Sequence, residues 1–347
     1  MPGSPNTQAA ELHRRATVVN ALVGSTAMPS SFDASFDLPE PILEGGITAA
    51  SLTLSLKGGF AENVRRIAYV RAAIDRHPRA TLATSLDEIH AAKRDGIAAI
   101  LLNFQNGTPI EDDLDNIDAF HQLGVRIFQL TYQRRNLIAD GCGEPADAGL
   151  SIFGRQVLER LNHVGMTIDL SHVGYRATME TIEASTRPVA FTHVNMHAFN
   201  PIPRNKTDEQ IVAVADRGGV IGINAIARLI TADGPAKGAT LGQYFEQIDH
   251  VVELTGGADH VGIGLDVNEG LTPEKFAERR KGFLREYPEI GGDFPLEHYY
   301  VRELFSMASM PRITEGLLKR GYVDADVEKI LGGNFLRLFD ETWRPAA

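Results

Sequence analysis

Residues 153–172, FGRQVLERLNHVGMTIDLSH, hold the pattern that decides the fold. An amphipathic segment runs to Val164, Gly165 stops it, and an apolar run follows that ends in a histidine, His172. The same order of helix, glycine and apolar strand recurs on both sides. Upstream, LDNIDAFHQLG (114–124) precedes RIFQLTY (126–132). Ser85 and Glu88 are spaced for a capping box on a helix that Gly96 closes just before IAAILLNF (97–104). Downstream, Thr207 and Gln210 open a helix that Gly218 and Gly219 end, and GVIGINAI (219–226) follows. ATVVNALV (16–23), ITAASLTL (47–54), PVAFTHVN (188–195) and HVGIGLDV (260–267) complete eight apolar runs. Each is nearly continuous rather than alternating, as in a strand covered on both faces.

Eight such units in 347 residues predict a (β/α)8 TIM-type barrel of the α/β class, a single domain over 1–347. Strand one is expected from about residue 16. A last helix at about 333–343 is expected to pack Phe335, Leu336 and Leu338 against the body. The rival, a doubly wound open sheet, lacks a glycine fingerprint after its first strand. The polar stretch 271–296, LTPEKFAERRKGFLREYPEIGGDFPL, reads as an excursion beyond the eighth strand.

Composition narrows the partners. Lys plus Arg number 34 and Asp plus Glu 45, a net charge of −11 that disfavours nucleic acid. The single cysteine, Cys142, excludes an intrachain disulfide and a Cys-rich zinc site, and fits a reducing, cytoplasmic setting. Residues 1–15 hold no apolar core of signal-peptide length, and no apolar run is long enough to span a bilayer, so no membrane partner is expected. A homodimer is left open, since no interface residue can be named.

Reacting groups of such a barrel project from the C-terminal ends of its strands. Polar residues gather there: Asn103, Gln105 and Asn106; Tyr132 followed by Gln133, Arg134, Arg135 and Asn136; then His172, His193, Asn224 and Asp266. His172 and His193 end neighbouring strands, where two imidazoles can ligate a metal or act directly; the bland reading is that each hydrogen-bonds a loop. Asp266 sits in an apolar strand that gains nothing from an unpaired carboxylate. It suits a general acid/base, against the plainer possibility of a buried pair with an arginine. Arg204, before a capped helix, can clamp a substrate carboxylate, or else pair with Asp208 or Glu209 on the surface. Asp169 is read as structural, and His197 as a weaker candidate.

GMTIDLSHVG (165–174), the run from PVAFTHVN through PIPRNKTDEQIVAVADRGGVIGIN (188–224), and DHVGIGLD (259–266) resemble the membrane (renal) dipeptidase family of the amidohydrolase superfamily. The likeness runs in order from about Val18 to Asp340. It implies a barrel with a two-zinc centre that hydrolyses dipeptides and related small amides by a metal-bound hydroxide. By motif, His172 and His193 match the histidines of one zinc, Asp266 the catalytic acid and Arg204 the carboxylate-binding arginine. Other positions depart from the family. Its strand-one His-x-Asp is Leu22 and Gly24 in VVNALVG, its bridging glutamate is Gln105, and its substrate-facing histidine after strand four is Tyr132.

Two divalent ions a few ångströms apart need negative ligands to offset their repulsion, and Gln105 is neutral. At most one metal, zinc held by His172 and His193, is therefore expected, and a metal-free pocket stays open. The leading expectation is a hydrolase of a small amide, dipeptide or N-acyl amino acid bearing a carboxylate. Asp266, His172 and His193 would be catalytic, and Arg204, Tyr132, Gln105 and Asn136 would bind the substrate. The alternatives are a metal-free enzyme of the same fold doing proton-transfer or elimination chemistry, and a non-catalytic carboxylate-binding protein.

Overall fold

The computed structural model describes residues 5–24, 29–288, 292 and 294–344. Among the described residues nine strands form one parallel sheet: β1 (Val19–Val23), β2 (Ala49–Ser55), β3 (Ala80–Leu82), β4 (Ala98–Phe104), β5 (Val125–Gln129), β6 (Thr167–Asp169), β7 (Ala190–Val194), β8 (Val220–Ile223) and β9 (Val261–Ile263). Eight of them follow one another round a ring in the order β1-β2-β4-β5-β6-β7-β8-β9. The ring closes where the chain after β9 meets β1. There Asp266 N donates to Leu22 O at 3.1 Å, and Gly24 N donates to Val267 O at 3.2 Å. The result is the (β/α)8 barrel, with all eight expected apolar runs on the ring.

The extra strand, β3, escapes the sequence reading because it is three half-buried residues long. It pairs with the first half of β4, through Ala80 with Ala98 and Leu82 with Ile100, whereas β5 pairs with the second half at Leu102–Phe104. It fills the start of the gap between those strands and leaves the ring order unchanged.

The helix boundaries follow the capping chemistry. Ser85 accepts from Glu88 N while the Glu88 side chain returns to the cap, and the helix Leu86–Asp95 ends at Gly96 in the left-handed region. Ser151 caps Ile152–Val164, whose stop, Gly165, has φ 89°. A Cβ at Gly165 would also stand 2.9 Å from Trp343 O, so conformation and space both demand glycine.

The last helix, Asn334–Thr342, closes the barrel at the N-terminal ends of its strands. Its Phe335, Leu338 and Phe339 cluster with Val19, Ala49, Ala99, Ile127, Ala190 and Val220, while Leu336 is only partly buried. A Cβ at Gly262 would stand 2.3 Å from the Phe335 ring, so the strand is bare where that ring enters. With this end plugged, the opposite rim is left for chemistry. The excursion after β9 lies over that rim as the helix Pro273–Glu286, capped by Thr272. Among the described residues no helix is long and apolar enough to cross a membrane.

Candidate active site

At the C-terminal ends of the strands lies a cavity of about 50 Å³. Gln105, Tyr132, His172, Arg204 and Asp266 all line it, so the structure brings together five of the seven expected site residues. His193 is fully buried behind His172 and reaches the cavity only through it. Asn136 is not brought in. Its side chain bonds Asn106 Oδ1 at 3.0 Å and Leu130 O at 2.7 Å and accepts from Ile138 N, an arrangement that shapes the loop after β5.

The two histidines meet edge to edge, with Nε2 of His172 and Nε2 of His193 3.0 Å apart. The hydrogen-bond network assigns their protons. Thr192 Oγ1 donates to Asp169 Oδ2 at 2.7 Å, so it accepts from Nδ1–H of His193, also at 2.7 Å. His193 Nε2 is then a bare acceptor, and the proton between the rings belongs to His172 Nε2. That leaves His172 Nδ1 without a hydrogen, a buried acceptor with no partner. Burial first, then the Arg204 guanidinium, holds both imidazoles well below their ordinary pKa, so both are neutral at pH 7. Asp169 anchors this chain from outside the cavity, accepting from Ser171 and Thr192 through backbone and side chain alike.

Tyr132 stacks on His172 with centroids 4.2 Å apart, and burial drives its phenol pKa upward, so it stays protonated. Gln105 is held by its Nε2 donating to Thr53 Oγ1 at 2.8 Å. Arg204 is buried at 5 % exposure. Its Nη1 donates to Ser171 O and its Nη2 to His193 O, each at 2.7 Å, which ties the ends of β6 and β7 together. The surface pair with Asp208 or Glu209 is not formed; Asp208 pairs with His250 and Glu209 with Tyr175.

Asp266 follows β9 with φ 56°, a left-handed conformation that turns its side chain into the cavity mouth. It accepts from Asn224 Nδ2 at 3.2 Å. Burial pushes its pKa up to about 6, against the opposing pull of Arg204, the Asn224 bond, Arg279 and Arg228. A carboxyl so poised is mostly ionised at pH 7 yet takes up a proton readily.

The sequence reading missed the cavity's roof and much of its charge. Arg228 follows β8, and Phe276, Arg279, Arg280 and Phe283 come from the helix Pro273–Glu286. Their positions i, i+3, i+4 and i+7 place all four on one helix face, a signal present in KFAERRKGF but masked by the charge of the segment. Arg279 Nη1 donates to Asn268 Oδ1 at 2.6 Å, and Arg280 holds Gly292 O.

The donor set decides whether a metal centre fits. Leu22 is fully buried and cannot ligate, and at Gly24 the space a side chain would take is filled, since a Cβ there would stand 2.1 Å from Asn268 Oδ1. Two imidazole nitrogens converge, but among the described residues no group of three His, Cys, Asp or Glu side chains could hold an ion. The cationic Nη2 of Arg204 stands 3.3 Å from His172 Nε2, where it repels any cation. A two-metal centre does not fit these residues, and a single ion finds too few ligands.

Comparison with known proteins agrees with this architecture. The family described as membrane dipeptidase (peptidase family M19) matches residues 21–279 and 286–346. A Klebsiella pneumoniae protein, "Uncharacterized protein in pqqA 5'region", is 28% identical over 273 residues, 77% of this chain and 90% of that protein. "Dipeptidase tcpJ" of Claviceps purpurea is 28% identical over 271 residues, 78% of this chain and 57% of that one. The chain spans between about half and two thirds of the curated relatives that bear the name dipeptidase. Among solved structures, an amidohydrolase from Pseudomonas aeruginosa superposes with a TM-score of 0.85 at 32% identity, over 96% of this chain and 99% of that one.

Proposed function

Because the chain belongs to the membrane dipeptidase family, we propose that it is a hydrolase of a small amide, a dipeptide or an N-acyl amino acid, with a free carboxylate. The observation that carries this is Asp266. It is a half-buried carboxyl of pKa about 6, aimed into a cavity whose other charged groups are guanidinium ions. Arg204, Arg228 and Arg279 attract the substrate carboxylate. Asp266 takes the proton of a water as its oxygen attacks the amide carbonyl, and returns that proton to the leaving nitrogen as the C–N bond breaks. A pKa near 6 suits both halves of the cycle. The guanidinium charge also faces the oxyanion that develops at the carbonyl, in a site that Phe276, Phe283 and Leu229 partly screen from solvent. Tyr132 and Gln105 shape the wall, and His172, oriented through His193 and Thr192, offers its ring beside them. No step is assigned to a metal.

The mismatch of ligands favours one second reading, in which the same carboxyl abstracts a proton from a carbon acid and no water attacks. A panel of N-acyl amino acids and dipeptides, analysed for products, decides between them. Hydrolysis products that vanish with Asp266→Asn support the first reading, and elimination or isomerisation products support the second. Turnover unchanged in that variant overturns both.

A further inference from the structure

We propose that the cavity is built for a small dicarboxylate, a substrate or product with two separated carboxylate groups held by Arg204, Arg228 and Arg279. The inference rests on the reading of this cavity as the substrate site and adds the class of molecule it takes. The three arginines reach the cavity from three different segments: the loop after β7, the turn after β8, and the helix that roofs the rim. Among the described residues none of the three forms an ion pair, although the protein carries an excess of acidic residues that could supply one. Arg204 is committed to two backbone carbonyls and Arg279 to the Asn268 carbonyl oxygen, neutral acceptors that position a guanidinium and leave its charge uncompensated.

Among the described residues Asp266 is the single carboxylate on the wall. Three guanidinium charges against that carboxylate leave two positive charges facing the cavity. A ligand that enters displaces water from Arg228 and Arg279, which are partly exposed, and covers the buried Arg204; the charges it covers then need partners, and one carboxylate on the ligand would leave part of this excess unmatched. Two would balance it. Because the arginines come from three separate segments of the rim, the fit proposed is to two spaced carboxylates rather than to one compact phosphate. Arg280 also lines the cavity, but its charge rests on the face of the Phe294 ring, with its guanidinium bonded to Gly292 O. Asp169 and Lys206 do not line the cavity.

The test is calorimetric titration of the full chain at pH 7.5 with N-acetyl-L-glutamate and with its isostere N-acetyl-L-glutamine, which has the same shape and one negative charge fewer. Product formation is followed in the same samples. The diacid is expected to bind at least about tenfold more tightly than the amide. That preference is expected to fall to about twofold or less in Arg279→Gln and in Arg228→Gln. Both side chains are partly exposed, so two independent variants guard against a folding defect in either. Equal affinity for the two compounds, no binding of either at about 1 mM, or tighter binding of inorganic phosphate each overturns the proposal. Preference for the diacid with no product would leave this inference standing and sink the hydrolase reading. Hydrolysis without preference for the diacid would do the reverse.

Discussion

Replacing Asp266 by asparagine is expected to stabilise the protein at alkaline pH. Asparagine is the suitable replacement because it tolerates the left-handed φ of 56° and keeps an oxygen for Asn224 Nδ2. In the fold the Asp266 pKa is about 6, against 3.8 as the ordinary value. A raised carboxyl pKa means that the folded state binds its proton more tightly than the unfolded chain does. The stability it contributes is complete below pH 3.8 and is lost as pH rises through about 6. Above that, holding the ion in the cavity costs on the order of 3 kcal/mol relative to the unfolded chain. Asparagine never ionises and escapes that cost. For a chain of 347 residues, 3 kcal/mol corresponds to a rise of about 4 °C in melting temperature. Thermal unfolding of wild type and variant at pH 8 and pH 4 measures this. The gain should be present at pH 8 and vanish at pH 4. A variant less stable than wild type at pH 8, or a difference independent of pH, would refute the account of Asp266 as a carboxyl strained by burial.

Three further outcomes follow from the same structure. On a hydrolysed amide, kcat/KM should rise through an apparent pKa of about 6 as Asp266 loses its proton and then level off; a profile flat from pH 5 to 8 contradicts the assignment of base. Thr192→Val removes the hydroxyl between Asp169 and His193, leaves two buried groups short of a partner, and should destabilise the protein by about 3 kcal/mol in denaturant titrations. Nitrogen NMR of the His193 ring should also show the Nδ1–H tautomer in wild type and its loss in this variant, and an Nε2–H tautomer in wild type refutes the network.

The barrel could be read from the sequence because its signals are local. Capping residues such as Ser85 and Thr207, stops such as Gly96 and Gly165, and apolar strands buried on both faces are each written within a dozen neighbouring residues. The strand-end rule then located the rim, so Asp266, His172, Tyr132 and Gln105 could be grouped before their distances were known, and Arg204 joined them from the loop before a capped helix. Residues whose role depends on tertiary placement were not legible. Asn136 follows a strand end yet turns back to its own loop, and β3 is too short and too exposed to carry a pattern. Arg228 and Arg279 stand in segments that look like ordinary charged surface until the helix Pro273–Glu286 folds across the rim and turns its Phe and Arg face inward. The family resemblance indicated which ligands were replaced. The structure adds what stands there: Asn268 packed against Gly24 and a guanidinium beside His172.

The most direct trial of the account is the initial rate of hydrolysis of a carboxylate-bearing amide at pH 8, by wild type and Asp266→Asn side by side after exhaustive chelation. Sustained turnover by the chelated wild type is expected, with a rate at least about a hundredfold lower in the variant. Equal rates in the two proteins, or turnover by wild type that returns only when zinc is restored, would contradict it.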